Sequence, residues 1–286
     1  MMLTATKREA NGSRHILGDT DVQFIADLIH SETGVRLNHT KKTMIQARLI
    51  RRMQTLRLSS LDEYVSYLRH SPDGVTERSA LVDILTTHKT DFFRERHHFD
   101  YLLETALPSL HQPRYHGGWR LWSAGCSTGE EAWTLAMVLA NYFGEEANWR
   151  FRILATDISE MVVDRAMKAV YPRSVVETIP FEYRRFVMHG RGRQAGNIRV
   201  VPELRKMVTF NRESLLDPAS GGNEPFEIIF CRNVVIYFDR DATALLVKRL
   251  VRRLVPGGYL FIGHSETLDS NSVGLQPVAP TVFRKT

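Results

Sequence analysis

From Asp19 to about Thr87, apolar residues return every three to four positions. Phe24, Ile25, Leu28 and Ile29 mark a first helix behind Asp19, Thr20 and Asp21, ending at Gly34. Ile45, Leu49, Met53 and Leu56 predict a second over residues 40–56. Residues 61–68 and 79–85 read as two more, parted by the turn Ser71-Pro72-Asp73-Gly74. The pattern changes after Trp119. Residues 120–122, 151–157 and 226–231 are apolar strand-like runs, each followed by a helical stretch at 130–143, 159–170 and 240–254. Pro256-Gly257-Gly258 reads as a turn into a strand at 259–263, and residues 278–284 as a final edge strand. Strands alternating with helices predict a parallel sheet with crossovers. Residues 172–206 break the alternation with two β-like runs around the glycine-rich turn at 190–196. The expected organisation is a disordered tail (1–18), a small all-helical domain (19–88) and an α/β domain (89–286). The α/β domain is a doubly wound sheet with an inserted antiparallel β-subdomain at 172–206.

Composition narrows the class. The 286 residues are 43% hydrophobic and 24% charged, which fits globular domains rather than a disordered chain. Cys126 and Cys231 stand far apart, without disulfide or zinc-ligand spacing, so no metal site is expected. Residues 1–18 lack a signal-peptide core and no apolar run is long enough to span a bilayer. The expectation is a soluble, cytoplasmic monomer with reduced thiols. A net charge of +6 and a pI near 9.4 suggest an anionic partner without saying which.

Candidate chemistry lies at strand ends. Ser123-Ala124-Gly125-Cys126-Ser127-Thr128-Gly129-Glu130 joins a strand to a helix, where glycines and free N–H groups suit a ligand. It has two glycines rather than the three of a dinucleotide fingerprint, and Glu130 stands where a pyrophosphate would rest. An acid there suits a ligand with an amino group and a ribose, such as S-adenosylmethionine. A plain strand-to-helix turn fits the loop alone equally well. Asp157 ends the next strand, 28 residues after Gly129, where an acid can accept from ribose hydroxyls or cap the helix that follows. The apolar run 226–231 leads straight into Arg232-Asn233, with Tyr237-Phe238 beyond as an aromatic wall. Thr86-Thr87-His88-Lys89-Thr90-Asp91-Phe92-Phe93-Arg94-Glu95 joins the two domains and reads as a lid.

These motifs resemble the bacterial chemotaxis receptor methyltransferases, the CheR-type protein-glutamate O-methyltransferases. Thr-Thr-x-x-Thr-x-Phe-Phe-Arg-Glu at 86–95 and Phe-Cys-Arg-Asn-Val-x-Ile-Tyr-Phe-Asp at 230–239 are specific to that resemblance. Trp-Ser-Ala-x-x-Ser-Thr-Gly-Glu-Glu at 122–131 and Asp157 fit any class I methyltransferase, and Gly263-His264-Ser265-Glu266 agrees. The similarity runs from about residue 20 to the end. It implies a class I fold and transfer of the sulfonium methyl of S-adenosylmethionine to receptor glutamates, leaving S-adenosylhomocysteine. It places His88, Thr90, Arg94, Glu130, Asp157, Ser214, Leu215, Cys231 and Arg232 at the cofactor. Asp157 would hold the ribose, Glu130 the amino-acid end, and Ser214 and Leu215 the adenine. Arg94 and Tyr237 would be the catalytic pair nearest the incoming carboxylate. His88 and Ser214 depart from the family's usual asparagines.

A glutamate carboxylate, with a reference pKa of about 4.3, is already ionised near neutral pH and needs no base or metal. It needs in-line positioning and shelter from water, and an arginine fork can orient it.

Residues 36–57 hold seven cations (Arg36, Lys41, Lys42, Arg48, Arg51, Arg52 and Arg57) and no acid. Lys41, Arg48 and Arg52 share a helix face opposite Ile45, Leu49 and Leu56, which reads as a docking surface. The resemblance suggests the methylation helices of the chemoreceptor cytoplasmic domain as its partner. In the 172–206 insert, Arg184, Arg185, Arg191, Arg193, Arg199, Arg205 and Lys206 surround a hairpin. Within the family such an insert can bind a receptor's C-terminal tail peptide by β-augmentation. The competing readings are a nucleic-acid methyltransferase, which the pI favours but Arg232-Asn233-Val234-Val235 lacks the proline element for, and a non-catalytic cofactor-binding adaptor. Neither nucleic acid nor membrane insertion is expected.

Overall fold

The helical periodicity of the N-terminal third is realised in four helices. The computed structural model describes residues 18–37, 42–110, 113, 118–146 and 150–286. The chain divides between Thr87 and His88 into two compact units. The tail expected over 1–18 lies outside the described residues, Gly18 excepted, as does Lys41.

In the first unit, helices α1 (Asp19–Thr33), α2 (Lys42–Thr55), α3 (Leu61–His70) and α4 (Gly74–Leu85) bury the residues at helical spacing. Ile25, Ile29, Ile45, Leu49, Tyr64 and Leu81 are all essentially inaccessible. The docking face expected on α2 is largely used inside this unit. Arg52 forks onto Glu77 with bonds of 2.8 and 2.7 Å, and Tyr64 Oη donates to the same carboxylate at 2.8 Å. Arg48 donates to the α4-terminal carbonyls of Ile84 and Thr86. The acid missing from residues 36–57 therefore comes from α4, and Asp19 of α1 pairs with Lys42 at 2.7 Å. Arg36, Arg51 and Arg57 are the exposed cations of that run.

The second unit starts with α5 (His97–Tyr101), continued by a π-helical turn (Leu102–Ala106). Then follow β1 (Trp119–Ala124), α6 (Glu130–Phe143), β2 (Phe151–Asp157) and α7 (Glu160–Lys168). A small sheet of β3 (Val170–Pro172), β4 (Val187–His189) and β5 (Asn197–Val200) comes next, then the single turn α8 (Pro202–Arg205). The chain returns through β6 (Val208–Arg212), β7 (Phe226–Cys231), α9 (Arg240–Arg253), β8 (Leu254–Ile262), β9 (Leu275–Ala279) and β10 (Val282–Lys285). The large sheet runs β6-β2-β1-β7-β8-β10-β9, parallel through β8 and antiparallel beyond. One face packs against α5 and α6, the other against α9.

The insert is an antiparallel sheet in the order β3-β5-β4, with the expected hairpin closed by Gly190 N–H donating to the Asn197 carbonyl. It has no core of its own: Tyr171, Ile198 and Val200 join the cluster beneath α6. The run expected as one edge strand over 278–284 is broken at Pro280-Thr281, where Thr281 turns left-handed; its first two residues end the edge strand β9 and its last three belong to β10. The turn expected at Pro256-Gly257-Gly258 is a kink inside β8, absorbed by a register shift against β7. Strand β6 was not expected: Val208-Thr209-Phe210-Asn211-Arg212 carries only two apolar residues because it pairs on one side alone.

Candidate active site

In a doubly wound sheet ligands lie beyond the carboxyl ends of the strands, where the order reverses. The chain passes outward from β1 to β2 and β6, then returns to β7 on the other side of β1. The segments after β6, β2, β1 and β7 therefore stand in a row. They carry Ser214 and Leu215, Asp157, the 125–130 loop, and Cys231 and Arg232.

The glycine loop folds back onto the β2 end. Gly125 and Cys126 donate to the Thr156 carbonyl at 2.8 and 2.9 Å. Both glycines have positive φ, +85° for Gly125 and +95° for Gly129. A Cβ on Gly125 would come within 2.5 Å of Val234, and one on Gly129 within 2.7 Å of Ala166. The glycines thus let the loop approach its own neighbours, as well as leaving backbone bare toward a ligand.

Asp157 is buried. It accepts from Ser127 N–H at 2.8 Å on one oxygen and from Ser159 N–H at 3.0 Å on the other. It holds the residue that caps α7 and clamps the glycine loop. Burial raises its pKa, and the two amides pull it back. The α7 cap itself is Ser159.

Next to it lies a cleft of about 290 Å³, lined by His88, Lys89, Thr90, Thr128, Glu130, Met161, Val162 and Arg165. His88, Thr90 and Glu130 are thus brought together. Glu130 accepts from Thr128 Oγ1 at 2.6 Å, and burial raises its pKa. Ser127 Oγ donates to the carbonyl of cleft-lining His88 at 2.9 Å. Met161 and Arg165 were not singled out by the sequence; their place on α7, directly after Asp157, was the available signal. Leu215 is buried and Ser214 half-buried, on the loop whose Glu213 N–H donates to the Asp157 carbonyl at 2.9 Å. Cys231 is fully buried in the core at the end of β7, with its thiol pKa pushed up by burial.

Arg232 turns inward instead of lining the cleft. Its guanidinium lies 3.2 Å from Glu95 and 3.3 Å from Glu131, and donates to the Arg94 carbonyl. Glu131 in turn accepts from Ser123 Oγ at 2.6 Å. Glu95 also accepts from Asn233 Nδ2 and from His264 N–H, both at 3.2 Å. Glu266 gathers the amides of Asn233, Ile236 and Gly263. Glu95, Glu131 and Glu266 sit inside the quoted motifs, but no spacing rule assigned them a partner.

Arg94 is flanked by two residues in the left-handed region, Phe93 and Glu95, each at φ 56°. Such conformations are costly for non-glycine residues and gather where geometry is imposed from outside. Phe93 N–H is fixed to Thr134 Oγ1 at 3.1 Å, and Glu95 is held by Arg232, Asn233 and His264. Between these anchors Arg94 Nη1 bonds back to the carbonyl of cleft-lining Lys89 at 2.9 Å. Tyr237 is half-buried in the turn Val235–Tyr237 after β7 and does not line the cleft. Among the described residues there is no cluster of His, Cys, Asp or Glu able to hold a metal ion, and no helix is long and apolar enough to cross a membrane.

Comparison with known proteins agrees with this architecture unit by unit. Residues 20–86 match the CheR methyltransferase all-alpha domain, and residues 88–283 match the CheR methyltransferase SAM-binding domain. A chemotaxis protein methyltransferase of Salmonella typhimurium is 38% identical over 258 residues, 90% of this chain and 87% of the relative. Chemotaxis protein methyltransferase 2 of Pseudomonas aeruginosa is 38% identical over 264 residues, 92% of each chain. The Escherichia coli chemotaxis protein methyltransferase is 36% identical, covering 94% of this chain and 90% of its own. Two adjoining domain matches in the same order, together with a crevice at the sheet's switch point that Glu130 lines, place the chain in the CheR family of S-adenosylmethionine-dependent methyltransferases.

Proposed function

We propose that this enzyme esterifies glutamate side chains of chemoreceptors, and that the residues around the crevice work by positioning rather than by proton transfer. The observation that carries the reading is the clip around Arg94: two anchored left-handed residues hold one arginine beside the cleft-lining segment. The bound cofactor supplies an electrophilic methyl group. Its donor set suits this crevice, since two buried acids stand ready for an ammonium and a diol while two amides fix one of them. Asp157 would take the ribose and Glu130 the amino-acid end, with His88 and Thr90 beside them. Ser214 and Leu215 would flank the adenine. Cys231 would contribute bulk at the β7 end. Arg232 would act from underneath, fixing Glu95 and so the clip.

The substrate carboxylate arrives ionised and needs no base. Arg94, with one donor spent on Lys89, would offer the rest of its fork to that carboxylate, and Tyr237 would border its path. Docking onto the receptor's methylation helices would use Lys41 with the exposed Arg36, Arg51 and Arg57, because Arg48 and Arg52 are committed within the helical unit. The β3-β5-β4 sheet would take a receptor tail peptide on a free strand edge. The protein would act as a monomer in the cytoplasm, with the domain limits 19–88 and 89–286.

The test is transfer of a tritiated methyl group from S-adenosylmethionine to receptor-containing membranes. Base-labile release as methanol is expected. Label that resists base, or enters nucleic acid instead, would overturn the reading.

A further inference from the structure

The β6–β7 connection contains no helix. Residues 213–225 run through turns, and beside them a cavity of about 330 Å³ opens against α9. That volume is at the scale of small-molecule sites. One side is cationic: Lys248, Arg249, Arg252 and Arg253 project from α9. The opposite wall is apolar, formed by Trp122 and Leu215, and the one acid at the rim is Asp217. Asp217 is already engaged, accepting from Ala219 N–H at 2.8 Å.

Four cations within six residues of helix need an explanation. Lys248 with Arg252 and Arg249 with Arg253 are like-charge pairs at i,i+4, which oppose helix formation. The helix dipole favours Arg252 and Arg253 in the last turn but does not call for Lys248 or Arg249. None of the four forms an ion pair among the described residues; Arg253 donates to the Pro218 carbonyl at 3.2 Å. Arg249 Nη1 is fully buried and has no acceptor. Nη1 is shut away from solvent, so an anion in the cavity would meet the other donors of Arg249 and those of Lys248, Arg252 and Arg253.

We infer that this cavity is a binding site for a small molecule bearing a diphosphate group. Arginine forks match phosphate oxygens pairwise, and four cations against one acid match a multiply charged group better than a single carboxylate. The apolar wall would cover the molecule's uncharged part. A cavity of this size admits a small phosphate ester, not a receptor helix. Leu215 lines the cavity and, on the reading above, also flanks the adenine, so occupancy would be felt at the cofactor.

Calorimetry with inorganic pyrophosphate and with UDP tests this on the whole protein, first saturated with S-adenosylhomocysteine so that the cofactor crevice is excluded. Saturable binding of both probes in the sub-millimolar range is expected. Arg249→Ala should weaken it about tenfold or more, while Arg51→Ala, equal in charge change but in the other unit, should leave it intact. Circular dichroism and undiminished S-adenosylhomocysteine affinity would show Arg249→Ala to be folded. Absence of saturable binding, or equal losses in the two variants, would overturn the proposal. Because the cofactor product is measured first, failure of the crevice assignment would be seen separately.

Discussion

Glu130 shows how environment sets a residue's task. Burial lifts its carboxyl above the usual range; the Thr128 hydroxyl and Arg165 pull it down again, and Asp91 pushes it up. A ligand ammonium binds the ionised form. Where Glu130 is protonated in the free protein, binding must expel that proton, so affinity for S-adenosylhomocysteine falls as pH drops through the raised pKa and is flat above it. Titration calorimetry from about pH 7 down to about pH 4 should show this slope, and Glu130→Gln should lose most of it. Two arginines next to each other in space should behave oppositely. Arg94→Ala is expected to lower methyl transfer on the order of 100-fold, with a much smaller loss of cofactor-product affinity and the melting temperature kept. Arg232→Ala strands Glu95 and Glu131 in the interior and should cost about 3–5 kcal/mol in denaturant unfolding. The sequence marked both as polar residues by the crevice. It could not distinguish them, because inward or outward pointing depends on carboxylates that only the folded chain brings near.

At the scale of elements, the helix periods and the strand-helix alternation were legible, since burial of one face imposes them. Long-range closure was not. Arg52 reads as part of a docking face on α2, yet its carboxylate comes from α4, 25 residues on. Arg52→Ala should therefore destabilise the helical unit by about 3 kcal/mol, leaving a buried Glu77 unpaired. Arg51→Ala, at an exposed position, should stay within about 0.5 kcal/mol. Urea unfolding followed by circular dichroism separates the two, and equal effects would mean the Glu77 pair does not hold the unit together. Strand β6 and the Pro280-Thr281 hairpin were illegible for a related reason. An edge strand needs little apolar sequence, and Pro280 alone does not separate a hairpin turn from a proline on a continuous edge strand.

For the whole molecule, the topology converts four distant segments into one row along the sheet. Asp157 is where that row is tied together, since it clamps the β1 loop by one oxygen and opens α7 by the other. The order of the motifs was visible in the sequence. Their convergence follows from the return of the chain across β1, which the alternating pattern implied without fixing the neighbours. The most direct test of the central claim is equilibrium binding of S-adenosylhomocysteine to the purified wild-type protein and to Asp157→Asn. The account predicts saturable one-to-one binding to the wild type and a weakening of about tenfold or more in the variant. Absence of saturable binding to the wild type, or unchanged affinity in Asp157→Asn, would contradict it.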